Sequence, residues 1–385
     1  MAAKPQVAFE LFSPTPKPEA QPARFYRPEL DALRFGAFFA VFLHHAFPDS
    51  MKSWIAFGAP RPLAALLAGA VRAGGLGVDL FFALSAYLIT ELLLREHESR
   101  GRINVQAFYL RRLLRIWPLY FFVLLLVQPA LQWWRPQERF SPSDWTAFLL
   151  FAGNWACAFH GFGERSFSLL WSVSIEEQFY LTWPWVIRSA MHSGPARVVR
   201  ICAALLVTAT VARVFLLWIG VAHPGIWCDT FARLDPIAAG AWFACLRTKP
   251  LAPATRLALI FGGAATIAAV GAFIDNNNST VLPGYPLVAA AAIAILAGVL
   301  SPSLTPSPAL RAAAYLGKIS FGTYVFHRAV LTLLGVPFAP RTVLAGRAAL
   351  GLAATIAIAA LSYRYLESPF LRLKERFTVI SSRRA

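Results

Sequence analysis

Charge is what this sequence lacks. Only 14% of its 385 residues are charged, where a soluble globular domain carries about 25%, so a freely soluble domain is excluded. Acids are scarcer still: 19 Asp and Glu stand against 36 Lys and Arg, a formal net charge of +17. In a soluble protein that excess would point to nucleic acid. Here it reads as basic loops retained on the cytoplasmic side of a membrane, with no nucleic-acid partner. Cysteine is sparse too. Cys157, Cys202, Cys228 and Cys245 show no metal-type spacing, so they read as small apolar filler and no metal is expected. Residues 1–27, rich in Pro, Ala, Lys and Glu, lack an apolar run of signal-peptide length and read as a disordered cytoplasmic tail.

What remains is apolar. Hydrophobic residues make up 57% of the chain, in long stretches that recur from residue 30 to residue 366. The expected fold is all-α and polytopic, with about ten transmembrane helices around a polar intramembrane cavity. The spans fall near 29–47, 75–94, 113–131, 169–187, 201–220, 230–246, 257–274, 284–300, 316–335 and 342–363. Pro48, Pro60 and Pro62 are expected to break any helix across 48–73, leaving a short apolar patch at 63–71. Residues 145–158 are short for a crossing and are expected to dip in re-entrantly. With the N-terminus inside, this count leaves 24 of the 36 basic residues on the inner side and seven outside. A full crossing at 145–158 would move three later basic loops outside. The asymmetry therefore favours an integral cell (inner) membrane protein with both termini cytoplasmic. Cys157 and Cys228 then face the oxidising side, where a disulfide between them stays open. The oligomeric state is also open.

Ten ionisable groups fall inside those spans: Arg34, His45, Asp79, Glu176, Glu177, Arg213, Arg233, Asp235, His327 and Arg328. Each costs at least about 3 kcal/mol in hydrocarbon unless paired or hydrated. That many imply a polar cavity. The first span is the most informative. At 100° per residue, His45 returns to within about 20° of the azimuth of Arg34, roughly 16 Å along the axis. Asp31, Arg34, Phe38, Val41 and His45 share one stripe that must face a packed or wet interior, while His44 points about 100° away. Arg34 and His45 are too far apart to share a hydrogen bond on a straight helix. Either the helix breaks near Gly36 or the two serve different ends of one tunnel, which is the favoured reading.

The second span opens Gly74-Gly-Leu-Gly-Val-Asp79, where the glycines suit close backbone approach or a broken helix start. Asp79, in the first turn, is either an arginine partner or a direct participant. Ser85 is a nucleophile only with a base beside it and otherwise a packing serine. Arg112 and Arg115, at i and i+3, either snorkel to lipid phosphates or clamp a phosphorylated cytoplasmic donor. Ser172, Glu176 and Tyr180 fall at i, i+4 and i+8, with Glu177 adjacent. Ile319–His327 buries another histidine, and Glu367 is expected to pair locally with Arg364.

In order, these motifs resemble the membrane-bound acyltransferase-3 family over about residues 28–370. They are Arg34 followed after ten residues by His45, Gly-Val-Asp-Leu-Phe-Phe-x-Leu-Ser at 77–85, and Arg-x-x-Arg-Ile-x-Pro at 112–118. Then come Trp-Ser-x-x-x-Glu-x-Gln-Phe-Tyr at 171–180, the run ending at His327, and Tyr-Arg-x-x-Glu-x-Pro at 363–369. Ala32, Phe35 and Ala86 depart from it, standing where the family usually has glycine.

The resemblance implies transfer of an acyl group, commonly acetyl, from cytoplasmic acyl-CoA (acetyl-CoA) to a hydroxyl. The acceptor would be a cell-surface carbohydrate or a lipophilic small molecule, among membrane lipids. It carries over His45 and Arg34 as the essential pair and Glu176 and Glu177 as further catalytic candidates. Arg112, Arg115, Asp79 and Ser85 follow as donor-binding candidates, and Trp171, Tyr180 and His327 as substrate-contacting or structural polar residues. His45 would act as general base or as a transient acyl carrier, with Arg34 orienting the site or stabilising negative charge. Some relatives carry a further esterase-like domain; the basic cytoplasmic tail 371–385 is expected to leave no room for one. A secondary transporter is the rival, since transporter cavities also hold such groups. Against it, the Arg34/His45 arrangement is not echoed in the second half. The number of intramembrane charges disfavours a non-catalytic scaffold.

Overall fold

An apolar chain has few ways to satisfy its backbone in lipid, and helix is the first of them. In the computed structural model, which describes residues 27–163, 165–246, 250–300 and 307–377, no strand occurs among the described residues. The expected tail 1–27 lies outside the described residues but for Arg27, and the expected tail 371–385 lies outside them from residue 378 on, its first residues continuing a helix as far as Glu375. Helices α1 (Pro28–Ala46), α2 (Met51–Ala56), α3 (Arg61–Gly75) and α4 (Gly77–Arg100) come first. α5 (Val105–Phe122) continues through a π turn (Val123–Val127) into α6 (Gln128–Trp134), followed by α7 (Pro142–Leu149) and α8 (Gly153–His160). The middle holds α9 (Trp171–Met191), α10 (Pro195–Trp218), α11 (Gly225–Cys228) and α12 (Leu234–Ala244). α13 (Pro253–Phe273), α14 (Val281–Leu300), α15 (Pro308–Lys318) and α16 (Ser320–Leu333) come next. α17 (Arg341–Ser362) passes through a second π turn (Tyr363–Glu367) into α18 (Ser368–Glu375).

Local chemistry sets these ends. Asn104 caps α5 by accepting from the Ala107 amide at 2.9 Å, Ser141 and Asp144 form a reciprocal capping box on α7, and Gly101 closes α4 at φ 66°. Pro129 and Pro369 each lie two residues past a π turn. A proline has no N–H and its ring collides with the carbonyl four residues back. The wider turn moves that carbonyl aside and the helix continues. It also undoes the expected Arg364–Glu367 pair, because i and i+3 no longer share a face. Glu367 instead accepts from Ser362 Oγ at 3.2 Å, and Arg364 lies over the Tyr365 ring.

Other expectations change as well. Pro60 and Pro62 start α3 rather than block it, since proline is tolerated in a first turn. α3 meets α4 with only Leu76 between them, so the patch at 63–71 is part of a 40-residue helical stretch, Arg61–Arg100. Ile319 parts the expected span 316–335 into α15 and α16. Residues 145–158 fold as parts of α7 and α8, eight residues each. At about 12 Å apiece, neither crosses a bilayer core of ~30 Å.

Six stretches among the described residues are long and apolar enough to cross a membrane: Arg61–Arg100, Val105–Trp134, Pro195–Trp218, Pro253–Phe273, Val281–Leu300 and Arg341–Glu375. The chain is a polytopic α-helical membrane protein. α1 and α9 are of similar length, 19 and 21 residues, but each carries three Asp, Glu, Lys or Arg side chains: Glu29, Asp31 and Arg34 on one, Glu176, Glu177 and Arg188 on the other. α12 and α16 are shorter, at 11 and 14 residues. Those four helices hold most of the polar residues singled out above.

α1 packs against α3, α4, α15 and α16. Glycine sets the closest approaches. A Cβ on Gly74 would stand 2.3 Å from the Ala40 carbonyl oxygen, and one on Gly317 would stand 1.7 Å from that of Asp31. Both distances lie far inside van der Waals contact, so only glycine allows these backbones to meet. α3 and α15 thereby clamp the two ends of α1.

Candidate active site

α1 runs unbroken through Gly36. Its stripe survives intact, with Asp31, Phe38 and Val41 buried. Arg34 and His45 open into two different cavities, one toward each end of the helix.

The arginine cavity, about 100 Å³, is lined by Arg34 of α1, Ser85 of α4, Arg112 and Arg115 of α5, Glu176 and Tyr180 of α9, and Tyr324 of α16. Asp31 holds Arg34 at 2.8 Å. Tyr180 donates to Glu176 Oε2 at 2.9 Å, which leaves its oxygen to accept from Ser85 Oγ. Ser85 therefore serves Tyr180, and no histidine is among the described lining residues. The Arg112 guanidinium packs over the rings of Phe108 and Tyr180, each 5.6 Å to the centroid. Its Nε is buried without a partner, an open donor that costs about 1–3 kcal/mol until something accepts from it. Three guanidiniums face one carboxylate here. Such a cavity suits an anion with several oxygens.

The histidine vestibule, about 590 Å³, lies past the C-terminal end of α1 and is lined by His44, His45, Asp49, Ser53, Arg135 and Arg328 among apolar neighbours. His45 does not act alone. His327 Nδ1 lies 2.6 Å from the Tyr324 carbonyl oxygen, which can only accept, so Nδ1 carries the proton. In the neutral ring its Nε2 is then an acceptor. That nitrogen lies 3.1 Å from His45 Nδ1, and the Val41 carbonyl lies 3.0 Å from the same atom. His45 Nδ1–H donates to both, which leaves His45 Nε2 with the free lone pair. The network fixes the tautomer a base requires. Because Tyr324 also lines the arginine cavity and packs on His327 at 5.7 Å between ring centroids, Tyr324, His327 and His45 form the wall between the cavities.

Other candidates stand apart. Glu177 accepts from Trp117 Nε1 at 3.2 Å and does not line either cavity. Trp171 is buried against Phe82 and Trp227. Asp79 is held at 2.9 Å by Arg233, whose guanidinium lies between the Trp227 and Tyr285 rings at 4.3 and 4.4 Å. Arg213 and Asp235 make a second buried pair through two hydrogen bonds. Cys157 and Cys228 are buried free thiols, and among the described residues no three His, Cys, Asp or Glu side chains converge as metal ligands do. Beyond the vestibule, a shallow polar cavity of about 500 Å³ surrounds Asp144, His160 and Arg165. Burial pushes the Asp144 carboxyl up, but Ser141, His160 and Arg165 outweigh it and hold it below the usual range.

Sequence reasoning did not single out Ser320, Tyr324, His44, Arg135 or Arg328 as site residues. One signal was present: Ser320, Tyr324 and His327 fall at i, i+4 and i+7, a single helical face.

The family model described as an acyltransferase domain matches residues 27–364. The chain is similar to the peptidoglycan O-acetyltransferase OatA of Listeria monocytogenes, 27% identical over 90% of this chain and 56% of that protein. It is also similar to the O-acetyltransferase OatA of Staphylococcus aureus, 24% identical over 89% of this chain and 57% of that protein. The chain thus spans little more than half the length of these relatives. No solved structure matches.

Proposed function

The chain belongs to the membrane-bound acyltransferase-3 family, and on that premise we propose that it is an O-acyltransferase. It moves an acyl group, acetyl by expectation, from cytoplasmic acyl-CoA to a hydroxyl of a cell-surface carbohydrate or lipophilic metabolite. One observation carries the reading: an arginine-lined cavity and a histidine-bearing vestibule share the wall of Tyr324, His327 and His45. Donor and acceptor then enter from opposite ends. The transmembrane unit is read as residues 28–370 with ten crossings, α1, α9, α12 and α16 joining the six apolar stretches, and with both termini cytoplasmic.

In this reading Arg112, Arg115 and Arg34 hold the donor's phosphates and the polar groups of its arm. The donor supplies a thioester carbonyl and a thiolate leaving group. His45 Nε2 removes the acceptor's hydroxyl proton as that oxygen bonds to the carbonyl carbon. The C–S bond then breaks, and the proton on His45 passes to the departing sulfur. The same wall supports a two-step version in which His45 Nε2 first takes the acyl group and then yields it to the acceptor. Glu176 and Tyr180 brace the arginines from α9.

The test is reconstitution. Proteoliposomes holding acetyl-CoA on the arginine-cavity side should release free thiol and acylate an external glycan together. Solute flux without thiol release would favour the transporter. In the same assay, Arg112→Ala and Arg115→Ala should raise the KM for acetyl-CoA by about 10-fold or more, the worth of one charged hydrogen bond, with a smaller change in kcat. An unmoved KM would mean that they only anchor lipid.

A further inference from the structure

We propose that the acceptor is a saccharide acid, and that Arg328 binds its carboxylate or phosphate close to the hydroxyl that is acylated. This rests on the reading that the histidine vestibule receives the acceptor. Arg328 follows His327 on α16 and lines the same vestibule as His45. Its partner is neutral and distant: Ser168 Oγ, at 3.3 Å from Nη1. Among the described residues no carboxylate lies within 4 Å of it, whereas Arg34, Arg165 and Arg233 each hold an aspartate at 2.8, 2.5 and 2.9 Å.

Glu138 is committed elsewhere: it accepts from Ser166 through both the Oγ, at 2.8 Å, and the backbone amide. Asp49 lines the same vestibule but is exposed and makes no ion pair with Arg328. Arg135, at the end of α6, lines the vestibule too, and its guanidinium lies against the carboxamide of Gln137 rather than an acid. A partly buried guanidinium with uncommitted donors is completed by an anion that binds it bidentately. His45 is nearby, so that anion belongs to the molecule being acylated. Phe57 and Phe338 on the vestibule wall offer apolar faces on which a sugar ring can lie.

The probe is trigalacturonic acid against its uncharged triamide, with binding measured on the full chain in phosphatidylcholine nanodiscs without donor. The acid should bind more tightly. Arg328→Gln should weaken acid binding by about 10- to 100-fold and leave the amide unmoved. Arg328→Lys, which keeps the charge without the fork, should recover part of the loss. Lys52→Gln, an exposed cation near the same end, should change nothing if the effect is local. Equal binding of acid and amide, no binding of either, or an acid preference that survives Arg328→Gln would overturn the proposal. So would Arg328-dependent capture of phosphatidylglycerol that displaces the acid, since the ligand would then be a lipid phosphate. Acetyl-CoA turnover is measured separately. Acid binding through Arg328 without turnover would sink the transferase reading alone, and turnover without the acid preference would sink the subsite alone.

Discussion

Replacing His45 with alanine should stop acyl transfer, with turnover falling at least about 100-fold, while a non-reactive CoA analogue binds as before. The separation of the cavities makes the outcome specific. The arginines proposed to hold the donor lie in one cavity and His45 in the other, so its loss should leave the donor's contacts in place. Both versions of the mechanism need the same nitrogen, His45 Nε2, and retained activity in His45→Ala would sink them together. The variant also separates base from positioner. His327 Nε2 lies 3.1 Å from His45 Nδ1, and in the proposed reaction it meets no reacting atom, so the role proposed for it is positioning. His327→Ala should lower kcat with the donor KM intact, and His327→Gln, whose amide oxygen can accept the same proton, should restore part of the rate. A purely structural role for His327 would show no such rescue.

The stripe on α1 was legible because helical period depends on sequence alone. Asp31, Arg34 and His45 had to share a face whatever packed against it. The same logic lined up Ser172, Glu176 and Tyr180, all of which face the arginine cavity. Long-range pairings were not legible. His45 and His327 are 282 residues apart in the chain, and no local rule selects a histidine on α16 as the partner of one on α1. Glu176 and Glu177 show the intermediate case. Adjacent residues point about 100° apart, and period alone did not say which of the two faces the cavity; Glu176 lines it, while Glu177 accepts from Trp117 on α5. The prolines misled for another reason. Pro60 and Pro62 were read as breakers, although the first turn of a helix leaves the proline nitrogen nothing to lose.

Asp79 is where sequence stopped short of a choice between donor binding and pairing, and the second large effect decides it. Asp79→Asn should destabilise the fold by about 3–5 kcal/mol, the cost of stranding a buried charge. Arg233 is 1% exposed, its guanidinium is sandwiched between Trp227 and Tyr285, and its partner carboxylate lies 2.9 Å away. Asparagine keeps the shape and can still accept a hydrogen bond from Arg233, but it removes the charge that neutralises the buried cation. Thermal unfolding in detergent should show the loss. The double variant Asp79→Leu with Arg233→Met removes both charges and should recover most of it, because a buried ion pair contributes little more than an apolar pair of similar volume. Its KM for acetyl-CoA should match that of the parent chain, since neither residue lines the arginine cavity. If Asp79→Asn instead unfolds at the parent's temperature and raises that KM, Asp79 belongs with the donor after all, and the Asp79–Arg233 pair orders the cavity rather than the fold.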